Sequence, residues 1–304
     1  MSHAKGVSNL RRLLLSLLDK GAIITVMNNA AQILKQFNKL YEIPDAYSLW
    51  SDYRNNLTSF IRDNTSRGEN ALILGAGLCN DIDIEILASH FSDITISDRD
   101  TALLEKVCKR NKDAGIKVAY FDIPGITEDL YEAFIEKIIA FLNFYGVSNQ
   151  DLTNRFICNL INLTLNECRP EISEIDRRYD NIICVGVHSQ LISKMPMLLE
   201  ALPGISMNAF PDVSVLLSSI STNASLALNE YIFSHAKNRI IAGYEKSRIE
   251  ENGPIEGAMQ GYDNICHEIA LGSLRKTAEA SLLWPFNPAE SKSYTVDVLS
   301  CSII

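Results

Sequence analysis

ALILGAGLCNDIDIEILASHFSDITISDRD, from Ala71 to Asp100, is the stretch that decides how this chain folds. An apolar run ends in a Gly-Ala-Gly turn at Gly75–Gly77. A segment with helical spacing follows, then a second apolar run, then Asp98 and Asp100. Apolar runs alternating with helical segments read as a βαβ unit of a parallel sheet. Glycine lets the backbone turn tightly between the first strand and its helix and approach a ligand closely. Asp98 stands 21 residues after Gly77, at the end of the second strand. A carboxylate there is placed to accept from ribose hydroxyls. Asn80 or Asp81 is the expected cap of the intervening helix.

The same alternation extends outward. Strands are expected at 71–75, 93–97, 117–121, 181–187 and 238–244, with helices between them. The connection from Asp122 to Tyr179 is too long for one crossover helix. It reads as an inserted helical pair over about 124–178, EDLYEAFIEKIIAFLNFYG and NRFICNLINLTLNE. Upstream, Ser8 to about Thr65 is helical in pattern, with Ile33, Leu34, Phe37, Leu40 and Tyr41 on one face and an interruption at Pro44. In the tail, SLLWPF and SYTVDVLSCSII, joined by NPAESK, predict an antiparallel hairpin. The fold class is therefore α/β: a Rossmann-like, mostly parallel sheet with a terminal antiparallel hairpin strand, an N-terminal helical segment over 1–66 and a sheet domain over 67–304.

Composition narrows the partners. The net charge of −9 lacks the basic excess of a free-standing nucleic-acid binder, so no nucleic acid is expected. The cysteines number seven, an odd count with no C-x-x-C pair, which reads as reduced thiols in a cytoplasmic protein. Asp19 and Lys20 break the apolar N-terminal run, so no membrane span is expected there. No metal site is expected, because Cys266, His267 and Glu268 are adjacent on a helix and point apart.

Asp122, at the end of the third strand in VAYFDIP, is placed to accept from an adenine amino group. Together LILGAGLCND, ITISDRD, YFDIP and YDNIICVGVHSQL resemble the class I S-adenosylmethionine-dependent methyltransferases, over roughly residues 45–304. They look most like the bacterial members whose turn reads G-A-G-x-C-N-D and whose preceding helix carries Y-x-x-W-x-x-x-R, here Tyr47, Trp50 and Arg54. The resemblance implies S-adenosyl-L-methionine as cofactor and in-line methyl transfer to a small molecule or peptide-like metabolite. It also implies a sheet that ends on a reversed strand. Gly75, Ala76 and Gly77 would then lie against the methionine part, Asp98 and Arg99 at the ribose, and Asp122 and Ile123 at the adenine. The fourth strand end from Val185 and Gly186 to Ser189 would border the methyl group and substrate. Arg54 would pair with the cofactor's carboxylate.

The chain departs from that pattern at two positions. Ile73 stands where many members carry an acid, and Cys79 stands at the third glycine position. Asp81 would then take over the cofactor's ammonium. His188, after the fourth strand, is either a general base or a packing residue. Glu245 either binds substrate or pairs with Lys246 or Arg248. Tyr41, Tyr47, Trp50 and Tyr53 either close over the cofactor or pack on the sheet. Tyr262, expected in a glycine-rich loop with Gly253, Gly257 and Gly261, would line a substrate pocket. Two further readings stay open: a catalytically inactive cofactor binder or scaffold, and an NAD-dependent oxidoreductase. A homodimer is compatible with all three.

Overall fold

The computed structural model describes residues 30–304 except 40–41, 147, 173–174, 176, 203–204, 251–252 and 257–258. The helical reading before residue 30, together with Leu40, Tyr41 and Gly257, lies outside the described residues.

The expected strands are all present: β1 (Asn70–Leu74), β2 (Asp93–Asp98), β3 (Lys117–Tyr120), β4 (Tyr179–Val185) and β5 (Ala236–Glu250). A short β6 (Gly253–Glu256) folds back antiparallel on β5. The tail hairpin forms β7 (Leu274–Asn287) and β8 (Lys292–Ile303). The sheet runs β3-β2-β1-β4-β5-β8-β7, with β6 paired to β5 off this path. From β3 to β5 every pairing is parallel, while β8 runs antiparallel to both of its neighbours. The chain is thus an α/β protein on a mixed sheet closed by antiparallel C-terminal strands.

The core strands are almost continuously apolar because both faces are covered. Ala71 to Leu74 of β1 are all buried, with Ile73 registered between Ile96 of β2 and Ile183 of β4. The chain leaves β1 toward β2 on one side and returns to β4 on the other. That reversal opens a crevice beyond the carboxyl end of β1, where open α/β sheets bind ligands.

The helices are α1 (Ala30–Lys39), α2 (Ala46–Leu49), α3 (Ser51–Asp63), α4 (Ile84–His90) and α5 (Thr101–Arg110), then α6 (Glu128–Tyr145), α7 (Gln150–Glu167), α8 (Lys194–Ala201), α9 (Pro211–His235) and α10 (Gln260–Leu271). Two compact units emerge. One holds the described residues up to Ile43 with Pro124–Pro170 and Ile192–Ser221. There α1 buries Ala30, Ile33, Leu34 and Phe37, and the inserted pair α6 and α7 stacks Phe141 on Phe156 at 4.0 Å. Lys194 is buried in this unit, 2.6 Å from Glu128 and over the Tyr131 ring.

The other unit holds Pro44–Ile123, Glu171–Leu191 and Thr222–Ile304, and with them the whole sheet. On its β7 side, Trp50 meets Trp284 edge-on at 5.0 Å and donates its N–H to the Phe286 carbonyl at 3.1 Å. Tyr53 stacks on Trp284 at 5.5 Å. Each such ring pair is worth about 0.5–1.5 kcal/mol beyond burial, so this cluster anchors α3 to the terminal hairpin. Behind β4 and β5, Gly261 sits in the first turn of α10, where an added Cβ would fall 2.6 Å from His188 Cδ2 and 2.8 Å from Tyr244 Cε1.

Alanine normally favours a helix over glycine by about 1 kcal/mol. Gly261→Ala is nevertheless expected to lower stability by about 1–2 kcal/mol, because both rings are buried and overpacking costs about 1–3 kcal/mol. Urea unfolding midpoints check this. An unchanged or raised midpoint would show that the ring pair can move aside.

Candidate functional site at the carboxyl end of the sheet

The turn after β1 takes left-handed conformations at alternate residues. Gly75 has φ 67°, Gly77 has φ 49° and Cys79, without glycine's freedom, has φ 52°. Holding a side-chain-bearing residue there costs about 1–2 kcal/mol, so surrounding contacts must fix it. They come from several elements. Ala76 N–H donates to Ser97 C=O at 3.0 Å, and Gly77 N–H donates to Asp98 Oδ2 at 3.0 Å. Arg110 of α5 donates to Leu78 C=O at 2.7 Å. Arg54 of α3 donates to Asn80 C=O at 3.2 Å and also to Tyr47 C=O.

Asp98 therefore does more than face a ligand. One oxygen holds Gly77 and the other accepts from Asp100 N–H at 3.0 Å. Burial pushes its carboxyl upward, against the lowering effect of those backbone donors. A carboxylate has about four lone-pair positions, so acceptor capacity remains for a hydroxyl pair. Arg99 beside it is exposed.

Arg54 is buried, and its guanidinium lies 3.6 Å from the centre of the Tyr47 ring. Its Nε–H has no partner among the described residues. No carboxylate among them lies within salt-bridge distance of it. A buried cation in this state costs several kcal/mol unless an anion arrives. Asp81 is a carboxyl on which its charge acts. Helix α4 begins at Ile84, and Asp83 caps it by accepting from Ile86 N–H at 3.1 Å. The expected caps, Asn80 and Asp81, lie ahead of that helix, so Asp81 belongs to the loop. Burial pushes its carboxyl up to about 6, with Arg54 working in the opposite direction.

Asp122 is buried at the end of β3 and shares a side-chain hydrogen bond with Tyr120. Its backbone bridges to Glu171 at 3.0 Å in both directions. Ile123 is half-buried beside it. Gly186 follows β4 with φ 69°, close to Val185 and Val187. Val187 packs on the turn so tightly that a Cβ on Gly75 would fall 2.5 Å from its Cγ2.

His188 is buried, 2.8 Å from Asn229 Oδ1. Asn229 Nδ2 donates to Gly261 C=O and to Asn264 Oδ1, both at 2.8 Å, so its Oδ1 must accept. His188 Nε2 therefore carries the proton, and Nδ1 holds the lone pair. Nδ1 has no partner among the described residues. Burial pulls the imidazole down to about 4.

Trp50 lies in the aromatic cluster rather than at the turn, while Tyr47 is nearly half exposed. Tyr262 is in α10, not in a loop, edge-on to Tyr244 at 5.8 Å, and burial raises its hydroxyl to about 12. The segment expected as a glycine loop is largely regular, because β5 runs on to Glu250 and Gly253 opens β6. Glu245 does not pair with Lys246, which binds Asp297 at 2.9 Å. Its carboxyl hydrogen-bonds Ser189 near Gly186, and burial pushes it up against Ser189, Lys292 and Arg248. Trp284, Tyr53, Ser189 and Asn229 also border these groups. Tyr53 and Ser189 stand where the aromatic cluster and the fourth strand end were expected, whereas reading the sequence missed Trp284 and Asn229, of which only Trp284 carried a signal, its place in an alternating strand.

Among the described residues, no cluster of His, Cys, Asp and Glu could hold a metal, and no helix is long and apolar enough to cross a membrane. A depression of about 420 Å³ between α4 and the end of α5 is lined by Glu85, Ser89 and Arg110 among others.

No family model and no curated protein matches the chain. Solved structures do. The 16S rRNA methylase ArmA is similar at 10% identity over 91% of this chain and 98% of its own, TM-score 0.40. An S-adenosylmethionine-dependent methyltransferase from Clostridium acetobutylicum is similar at 10% over 84% and 92%, TM-score 0.36. The pyocyanin biosynthetic protein PhzM is similar at 8% over 96% and 62%, TM-score 0.40. Likenesses this distant fix neither activity nor substrate.

His188 and Asp81 pull stability in opposite directions with pH. A histidine depressed from 6.5 to about 4 adds stability that is present above pH 6.5 and lost as pH falls toward 4. A carboxyl raised from 3.8 to about 6 adds stability present below pH 3.8 and lost as pH rises through 6. His188→Gln is expected to cost less at pH 4 than at pH 7, by about 3 kcal/mol. Asp81→Asn should steepen the rise of stability from pH 4 to 6. Urea unfolding across that range checks both, and parallel curves for all three proteins would refute the assignment.

Proposed function

We propose that this chain binds S-adenosylmethionine at the turn after β1 and transfers its methyl group to an acceptor at the ends of β4 and β5. The observation that carries the reading is the Gly-Ala-Gly turn, left-handed at both glycines, held by Asp98 and flanked by the opposite charges of Arg54 and Asp81. An amino-acid moiety carries a carboxylate and an ammonium. Arg54, buried with an unpartnered Nε–H, suits the first, and Asp81 suits the second. Asp98 would accept from the ribose hydroxyls while keeping its hold on Gly77. Asp122 and Ile123 would border the adenine.

S-adenosylmethionine, when bound, supplies a methyl group already activated on sulfur. The protein then has little covalent chemistry to perform. Its task is to orient two reactants and exclude water, which can contribute several kcal/mol. Val185, Gly186 and Val187 supply a close backbone wall for this purpose. The absence of a catalytic motif from the sequence is consistent with such chemistry.

S-adenosylhomocysteine at 100 times its Kd is expected to stabilise the fold by about 2.7 kcal/mol, read as a rise in Tm. Asp98→Ala should abolish the shift while circular dichroism shows an intact fold. A shift with NAD and none with S-adenosylhomocysteine would replace this reading by the oxidoreductase one.

Binding should also weaken below pH 6, because the ligand's ammonium favours the ionised Asp81 that acid protonates. Calorimetric titration at pH 5 and 8 checks this, and Asp81→Asn should remove most of the difference. A pH-independent Kd in the wild type would exclude Asp81 as the ammonium's partner.

A further inference from the structure

We propose that Tyr47 is the positioning residue for the cofactor's carboxylate: its ring and its backbone carbonyl lock the Arg54 guanidinium so that one edge, Nε–H with Nη2–H, is presented to the anion. The inference rests on the methyltransferase reading and deepens it. It assigns the orientation in which Arg54 would act and the residue that sets it.

A guanidinium holds its N–H donors in one plane, one on Nε and a pair on each terminal nitrogen. The Nη1 pair is taken, because Nη1 donates both to the Tyr47 carbonyl and to the Asn80 carbonyl. Nε–H is closed off from solvent and has no partner among the described residues. Nη2 donates to none of them either, yet solvent reaches it. Nε–H and one Nη2–H point the same way, a fork that matches the two oxygens of a carboxylate. The other fork, between Nη1 and Nη2, is broken by the engagement of Nη1. An anion therefore enters at the Nη2 end, and at the Nε end it offsets the desolvation of a buried donor.

Tyr47 fixes the plane of that fork. The guanidinium carbon lies over the ring face, 3.6 Å from its centre, where the negative face attracts a cation. Tyr47 is 46% exposed and Arg54 7%, so the ring is the outer layer of the stack. The backbone behind the ring is itself held. Ser48 and Leu49 N–H donate to Asp45 C=O at 2.9 and 3.0 Å, and Trp50 N–H donates to Ala46 C=O at 2.9 Å. Trp50 in turn is anchored on Phe286 and Trp284. Tyr47 thus rides on a turn that cannot shift without disturbing the aromatic cluster. A long, flexible side chain is ordered in this way before any ligand arrives, which lowers the entropic cost of binding.

Calorimetry with S-adenosylhomocysteine and with its decarboxylated analogue, which keeps the ammonium, isolates the carboxylate. The wild type is expected to prefer the carboxylate-bearing ligand by about thirtyfold. In Tyr47→Leu the preference should fall to about threefold through weaker binding of S-adenosylhomocysteine, with the Kd of the analogue held within about twofold. Tyr47→Phe keeps the ring and the carbonyl and should retain the wild-type preference. Equal losses for both ligands in Tyr47→Leu would make Tyr47 a merely structural residue and overturn the proposal. An unchanged preference in Tyr47→Leu, or a phenylalanine variant that behaves like the leucine one, would overturn it as well. A wild type that binds both ligands equally overturns it while leaving the methyltransferase reading intact. Failure of S-adenosylhomocysteine to bind the wild type removes that reading and the proposal with it.

Discussion

Gly77 to Asn80 is a short loop gripped from three sides, and the candidate site depends on that grip. Asp98 reaches it from β2, Arg110 from α5 and Arg54 from α3. The loop is bent through left-handed conformations that include Cys79, so it stores strain which local sequence alone would release. Each grip comes from a different point in the chain and forms only when the parallel sheet is assembled. The loop is therefore preorganised by the fold, and a ligand need not order it. Preorganisation of this kind reduces the entropic cost of binding.

The two departures from the family pattern look different once placed. Cys79 is buried and takes the backbone conformation that a glycine would take, so the turn keeps its shape at some energetic cost. Ile73 lies inside β1, packed between its neighbours in β2 and β4, and the sheet core gains from an apolar residue there. Asp81, eight residues after Ile73, is left in the loop by the start of α4 at Ile84 and would supply a carboxylate there. The site's charges are thus redistributed around the turn, with one carboxylate on β2, one in the loop and a buried guanidinium beside them.

Much of the fold was legible because its signals are local. Strand runs, the helical insert and the tail hairpin follow from periodicity and turn residues, and the Asp98 spacing follows from the length of a βαβ unit. The parts left open, unread or misread are those set by distant contacts. Trp50 is drawn into the aromatic cluster by Phe286 and Trp284, more than 230 residues away. Tyr262 lies in a helix because α10 starts immediately after Met259, among glycines that suggested a loop. The partnership of Glu245 with Ser189 and Gly186 joins the ends of two strands that no short window contains. Arg54 was identified from its motif, yet its hold on Asn80 could not be read from spacing.

Burial acts on His188 and Glu245 in opposite directions, which residue type alone does not show. Histidine is the usual candidate for proton transfer near neutral pH. Here its Nε2–H is committed to Asn229, and burial lowers its basicity well below the useful range. The network through Asn229, Asn264 and Tyr244 fixes α9 and α10 behind β4 and β5, and Gly261 makes room for it. Glutamate is ordinarily too weak a base for such a role. Beside Gly186, burial moves it in the direction that strengthens it. The same physical effect, removal from water, disables the imidazole and strengthens the carboxylate, because it disfavours the charged form of each.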